Sequence, residues 1–226
     1  KKNLPRFLLW ACQSGKEDIG LKMLKKEGVD LNAIDSDGQD VLYWALKNDM
    51  KTMIEAMEPL VDKNAAWRKK ALLEACKAEN EDFAVKLLSI DGVDLNATDS
   101  DGRTPFIWAS WKNLPKVVQA MVDEPKGIDF NQKTSYGSTG FILACAYNHI
   151  EVVKIIVENS QKLGIDLNIQ DSDGNSGLML ACSEREEKVV DFLLANSEKY
   201  NINLDLKNKK NKSAKDMWPE KFSKSA

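Results

Sequence analysis

The chain has 226 residues, of which 43% are hydrophobic and 30% are charged, and its formal net charge is −3. This composition is typical of one or two folded, soluble domains and excludes disorder as the main state. No apolar run approaches the roughly 18 residues of a membrane span, and the start, KKNLPRFLLWACQ, turns polar too soon for a secretory signal.

An eleven-residue phrase occurs twice in nearly the same form, as GVDLNAIDSDG at 28–38 and as GVDLNATDSDG at 92–102. Related phrases begin at Gly127, Gly164 and Asn201. A second marker, an Ala preceded by apolar residues, recurs at similar spacing along the whole chain. Its positions are Ala11, Ala45, Ala75, Ala109, Ala144 and Ala181.

A period of this length predicts stacked supersecondary units, each of which buries its apolar face against its neighbours. Because Ala75 falls in the gap between the first two phrases, we predict that a repeat with a decayed phrase lies there. The predicted units form a single domain over 1–226. Their approximate bounds are 1–28, 29–59, 60–92, 93–127, 128–164 and 165–201, with a cap at 202–226.

Each period contains the signals of a turn followed by two short helices. In the fourth repeat, DSDG places Asp and Ser before a Gly that can adopt a positive φ, as a tight turn requires. Thr104 predicts an N-cap with Pro105 in the first helical turn, and Pro115 predicts the start of a second helix. The second helix has apolar residues at helical spacing: Val117, Val118, Met121 and Val122.

The segments DGRTPFIWAS, YGSTGFILAC and NHIEVVKIIV resemble the ankyrin-repeat signature, and the similarity extends over essentially the whole chain. This resemblance implies an all-α ankyrin-repeat solenoid of about six helix-turn-helix repeats, with short β-hairpin-like tips and a polar C-terminal capping half-repeat. The cap has Asn211 where a tip Gly is expected, and Asn tolerates positive φ. The signature Thr-Pro is intact only once, which indicates a divergent natural array. The signature His is replaced at Leu9, Tyr43, Leu73, Ile107, Ile142 and Met179.

The residues needed for catalysis are scarce. His149 is the one histidine, and the resemblance implies that it makes a structural hydrogen bond across the hairpin. The DSDG tips do not match the calcium-binding loop of an EF-hand, which needs an acidic residue at position 1, Gly at position 6 and Glu at position 12. When Gly102 is placed at position 6, Ala97 falls at position 1 and Trp108 at position 12. We therefore expect no enzymatic activity, no metal and no cofactor.

The four cysteines, Cys12, Cys76, Cys145 and Cys182, each follow the marker Ala. Equivalent positions on neighbouring helices are separated by roughly 8 to 10 Å, beyond the ~7 Å that a disulfide tolerates between Cα atoms. We expect buried, reduced thiols and a reducing compartment, cytoplasmic or nuclear.

The resemblance implies that a partner protein binds at the hairpin tips and on the concave face of the inner helices. Exposed Trp, Tyr and Arg contribute most to interfaces, which centres the predicted surface on the fourth and fifth repeats. The acidic tips favour a partner with a basic segment. The candidate partner-binding residues are Trp111, Lys112, Tyr147, Tyr136, Arg103, Asp101, Lys77, Lys47, Asp37, Asp173 and Glu184. The position directly before the marker Ala holds a Trp in three repeats, and we interpret these side chains as packing between repeats: Trp10, Trp44 and Trp108.

Two hairpin residues, Asn32 and Asn96, occupy the position that an asparaginyl hydroxylase modifies in some ankyrin-repeat proteins. Leu24 and Leu88 stand eight residues earlier, as that modification often requires. The alternative interpretation is that these Asn side chains only form hydrogen bonds within the hairpin.

Residues 207–226 contain seven Lys and two acidic residues, Asp216 and Glu220, so this segment has a net charge of +5. Because the whole chain has a net charge of −3, the remainder has a net charge of −8. An acidic body disfavours nucleic acid, because binding to phosphates depends on Lys and Arg. The lysines predict a nuclear-import patch, a patch for an acidic partner or a solvated terminal segment.

The sequence predicts a monomeric, non-catalytic scaffold for protein–protein interaction, without binding to membranes or nucleic acid. Because the first residue is Lys rather than Met, one alternative is an interaction domain of a larger enzyme, channel or effector. Another alternative is a structural spacer without a specific partner.

Overall fold

The computed structural model describes residues 4–26, 29–31, 33–57 and 66–223. Within these residues the regular elements are α-helices and one 3₁₀ helix at Ala66–Lys69, with an isolated β-bridge between Gln170 and Ser176. The predicted all-α fold is confirmed. The helices are α1 Leu4–Gln13, α2 Glu17–Leu24, α3 Val41–Lys47, α4 Lys51–Met57, α5 Ala71–Lys77, α6 Glu81–Leu88, α7 Pro105–Trp111, α8 Pro115–Asp123, α9 Gly140–Ala146, α10 Ile150–Leu163, α11 Gly177–Ser183, α12 Glu187–Ala195, α13 Ala214–Met217 and α14 Pro219–Phe222.

The chain forms two compact units. The first comprises Lys1–Ala75 and Asp82–Asp94, and the second comprises Cys76–Glu81 and Leu95–Ala226. In the first unit, α1 packs against α2 and α3, and α4 packs against both α2 and α3. Leu8, Leu42 and Met53 are fully buried there, so these four helices share an apolar core.

The second unit consists of two rows of stacked helices. In the inner row α7 packs against α9, α9 against α11 and α11 against α13, while in the outer row α10 packs against both α8 and α12. Apolar side chains of the outer row, such as Val117, Val153 and Val190, are fully buried. Each helix pair therefore completes its core with the pair before or after it, as repeat architectures require.

The inner helices begin as their local sequence predicts. Thr104 Oγ1 accepts a hydrogen bond from the Ile107 N–H at 3.2 Å, which caps α7, and Pro105 occupies the first turn. Thr139 and Ser176 cap α9 and α11 in the same way. Because the caps satisfy backbone donors that would otherwise lack partners, each helix has a fixed starting residue.

The hairpin tips of the second unit are joined to each other by backbone hydrogen bonds. The Ser135 N–H donates to the Asp101 carbonyl oxygen at 2.8 Å, the Ser172 N–H to Tyr136 at 2.9 Å, and the Lys209 N–H to Asp173 at 3.0 Å. We call this series the tip ladder. It holds successive tips in register, so side chains of different repeats share one surface.

The four cysteines are buried and free of disulfide bonds. Burial raises the pKa of the Cys12, Cys76 and Cys182 thiols to about 12 and that of Cys145 well above its usual value. These groups therefore stay neutral at physiological pH and act as small core residues.

Candidate partner-binding surface

Aromatic side chains of the fourth and fifth repeats form one cluster in the second unit. The ring centroids of Trp108 and Trp111 lie 4.9 Å apart, and those of Trp111 and Tyr147 lie 6.2 Å apart. The Tyr147 ring stacks on His149 at 6.2 Å. These spacings are typical of aromatic pairs that stabilise each other beyond their buried area.

The helix ends position this cluster. Trp111 is the last residue of α7, and Tyr147 follows α9 directly, so the packing of these two helices brings the side chains together. The His149 ring donates from Nε2 to the Trp111 carbonyl oxygen at 2.8 Å. The structural hydrogen bond expected for His149 thus reaches the helix end of the preceding repeat rather than crossing the hairpin.

Arg103 is held from two sides. Its guanidinium group forms an ion pair with Asp101, and its central carbon lies 5.0 Å from the Trp111 ring centroid and 5.4 Å from that of Trp108. The side chain is only 19% exposed. We infer from these contacts that Arg103 orients the aromatic rings, with its charge balanced by the tip carboxylate.

A cleft of about 130 Å³ opens between the tip of the fifth repeat and α9. It is lined by Arg103, Trp111, Leu143, Tyr136 and Tyr147, together with the buried hairpin residues Thr134 and Ser138. Tyr136 is 64% exposed and Tyr147 54% exposed. The cleft is smaller than the ~300 Å³ typical of small-molecule sites, so its size suits a single inserted side chain.

Asp99 is not among the residues predicted from the sequence, yet it supports this surface. Its Oδ1 accepts the N–H groups of Asp101 and Arg103, both at 2.9 Å, and its Oδ2 accepts the Trp108 indole N–H at 3.0 Å. Partial burial alone would raise the pKa of Asp99, but these hydrogen bonds and the Arg103 charge outweigh it and lower the pKa. The first acid of DSDG is therefore structural.

The sequence contains a signal for this role. In two repeats the first Asp of DSDG stands nine residues before a Trp: Asp35 before Trp44, and Asp99 before Trp108. In the first unit the Trp44 indole N–H donates to Asp35 Oδ2 at 2.8 Å in the same way. Trp10 has no such acid before it and remains 44% exposed, in ring contact with Phe7. In these two repeats, the Trp therefore fixes the hairpin through the hydrogen bond from its indole N–H to the hairpin Asp.

The other predicted residues of the second unit extend this surface. Lys112 Nζ pairs with Glu79 Oε1 at 2.7 Å, and Lys77 Nζ lies 6.0 Å from the Trp108 ring centroid. Asp173 and Glu184 are exposed at the tip and inner helix end of the sixth repeat. The tip ladder connects Asp173 to this region, since the preceding Ser172 N–H bonds to Tyr136.

Two predicted residues belong to the first unit. Lys47 Nζ lies 4.7 Å from the centroid of the Trp44 ring, and Asp37 is exposed at its tip. The structure therefore shows both as surface residues of that unit.

The hairpin Asn residues bridge neighbouring repeats. Asn96 donates to the Gly127 carbonyl oxygen at 2.9 Å and accepts the Asp129 N–H at 3.0 Å, and Asn131 and Asn168 repeat this pattern. Asn96 is exposed at the surface. Asn32 lies outside the described residues.

Comparison with known proteins adds one match. A family model described as ankyrin repeats (3 copies) matches residues 50–134 and 126–208, which is more than half of the chain. No curated protein matches the sequence significantly.

Among the helices of the described residues, none has both the length and the apolar character needed to cross a membrane. The same residues contain no group of three or more His, Cys, Asp or Glu arranged to hold a metal ion.

Proposed function

The chain belongs to the ankyrin-repeat family, whose members generally mediate protein–protein interaction, and from this premise we propose that it is a non-catalytic scaffold that binds a partner protein. The observation that carries the proposal is the cleft between Tyr136 and Tyr147, with Trp111 and Leu143 as its walls. Two aromatic side chains that line it, Tyr136 and Tyr147, are more than half exposed, and the Tyr147 ring contacts Trp111.

The partner contributes an apolar or aromatic side chain to this cleft. Burying such a side chain removes apolar surface from water, and Tyr and Trp are residue types that contribute most to interface energy. Arg103 lies over the Trp111 ring and pairs with Asp101. These contacts hold the Trp111 side chain before binding, so less of its side-chain entropy is lost in the complex.

A basic segment of the partner lies beside the acidic residues of the same unit. Asp173 and Glu184 are exposed at the tip and at the inner helix end of the sixth repeat, and their charges favour association with Lys or Arg. Lys112 and Lys77 border the aromatic rings and contribute apolar contact through their side-chain stems. The four buried, free thiols fit a role in the cytoplasm or nucleus.

The test is affinity capture from cytosol with identification by mass spectrometry. The parent protein is compared with a Tyr136→Ala/Tyr147→Ala variant, because both side chains are more than half exposed and their removal should leave the core intact. A Tyr200→Ala variant removes an aromatic side chain of the same unit that does not line the cleft and serves as the control. Circular dichroism establishes that all three proteins are folded.

A partner that the parent and the control retain and the double variant loses supports the proposal, provided that the purified partner reproduces the difference. Equal retention by all three proteins would move the site away from the cleft. Failure of the parent to retain any partner would favour the structural-spacer alternative.

A further inference from the structure

The lysine-rich segment at 207–212 is an ordered hairpin tip. Asn208 Oδ1 accepts the N–H groups of Lys210 and Lys212, both at 3.0 Å, and Asn211 adopts a positive φ of 59°. The Lys209 N–H continues the tip ladder to Asp173. The segment therefore presents its side chains from a fixed backbone, which differs from a solvated terminal tail.

Four lysines of this tip, Lys207, Lys209, Lys210 and Lys212, are called the basic cap here, and all are exposed. Some other lysines of the second unit, Lys112, Lys116, Lys126 and Lys221, do form ion pairs with carboxylates. Lys221 Nζ, for example, lies 2.7 Å from both Glu187 and Asp191. Within residues 66–223, no lysine of the basic cap forms an ion pair. Asp216 offsets these charges only in part: hydrogen bonds from Ser213, and then the Lys207 and Lys212 charges, lower its pKa. The four like charges repel one another, and a bound anionic group would relieve that repulsion.

A cleft of about 270 Å³ lies beside the basic cap. Lys209, Lys210 and Lys212 line it, Leu180 and Met217 contribute apolar surface, and the exposed Ser183 adds a hydroxyl group. The cleft therefore combines positive charge with apolar area, which a chain of mixed acidic and apolar residues can match.

We propose that the basic cap and this cleft bind an acidic segment of a partner protein. Carboxylates of the segment pair with Lys209, Lys210 and Lys212, and an apolar side chain contacts Leu180 and Met217. The attraction is sensitive to salt, because the lysines are exposed.

The neighbouring acids favour a protein segment over nucleic acid. Asp173 lines the same cleft, and Glu184 is exposed directly after Ser183. These carboxylates repel a continuous run of phosphates, in which every nucleotide carries a charge, whereas a peptide can place uncharged residues beside them. A peptide can instead direct backbone N–H groups toward Asp173 while its own carboxylates contact the lysines.

The test measures binding of a fluorescein-labelled peptide of four Glu-Glu-Leu units by fluorescence anisotropy. A Lys209→Glu/Lys210→Glu/Lys212→Glu variant should bind at least about tenfold more weakly than the parent. The control, Lys154→Glu/Lys162→Glu/Lys188→Glu, changes the net charge equally at exposed positions of α10 and α12 and should bind like the parent. A Lys209→Gln/Lys210→Gln/Lys212→Gln variant should give an intermediate affinity.

Absence of peptide binding by the parent, or equal weakening in the control, would overturn the proposal. So would tighter binding of a single-stranded oligonucleotide of equal length, or self-association of the parent that the Glu variant loses in sedimentation, since a second copy would then be the occupant. The cleft beside the basic cap shares no lining residue with the aromatic cleft, so the Tyr136→Ala/Tyr147→Ala variant should keep its affinity for the peptide.

Discussion

The indole N–H of Trp108 donates a 3.0 Å hydrogen bond to Oδ2 of Asp99, the carboxylate that forms the hairpin turn of the fourth repeat. Oδ1 of the same group accepts two backbone N–H groups of that turn. One side chain therefore links the hairpin to the inner helix that carries Trp111, and the stability of the tip and the position of the aromatic cluster depend on it.

Replacement of Asp99 by Ala should destabilise the protein by about 1–3 kcal/mol, because three donors of the folded hairpin lose their acceptor. Urea unfolding followed by circular dichroism measures the loss. Ser100→Ala is the matched control, since Ser100 is exposed on the same tip, and it should change the stability little. Equal losses in the two variants would show that Asp99 has no special role.

The contribution of Asp99 should also depend on pH. Its folded-state pKa is lowered, because hydrogen bonds and the Arg103 charge outweigh its desolvation. The ionised carboxylate therefore stabilises the fold above its unfolded-state pKa of about 3.9, and this contribution is lost as the pH falls through the lowered folded-state pKa. The difference in free energy of unfolding between the parent and Asp99→Asn should shrink as the pH is lowered from about 5 to below about 3. A difference that stays constant over that range would contradict the assignment.

Replacement of Gly140 by Ala should destabilise the contact between the fourth and fifth repeats. An added Cβ would lie 2.8 Å from Phe106 Cε1 and 2.8 Å from Ser110 Oγ, and overpacking of this kind typically costs about 1–3 kcal/mol. Thermal unfolding of the single variant measures the effect.

A double variant with Phe106→Leu provides the control for that explanation. Leu lacks the ring atom that the new methyl group would meet, so the combined loss of stability should be smaller than the sum of the two single losses. Strictly additive losses would show that the steric contact with Phe106 is not the cause.

The four thiols should react slowly with Ellman's reagent in the native protein at pH 8, because burial raises each pKa and blocks access. Unfolding in urea should release all four for rapid reaction. Glutathione serves as the reference for a free thiol under the same conditions. A native thiol that reacts as fast as glutathione would show that its repeat opens readily.

Much of the fold could be predicted because it depends on neighbours in the sequence. Thr104 and Pro105 begin a helix through groups within one turn, and Asn211 takes the left-handed conformation expected at a tip. The burial of the cysteines followed from the repeat period, because equivalent residues occupy equivalent environments.

The details of the candidate surface depended on the tertiary structure. From the sequence, Arg103 and Lys112 are equivalent candidates for partner contact. In the structure Arg103 pairs with Asp101 and lies over the Trp111 ring, and Lys112 pairs with Glu79, 33 residues away. The sequence by itself determined the repeats, the helix starts and the residue types at the tips. Only the stacking of one repeat on the next decided which of those side chains meet each other and which remain exposed, because pair contacts require positions in space that local conformation does not specify.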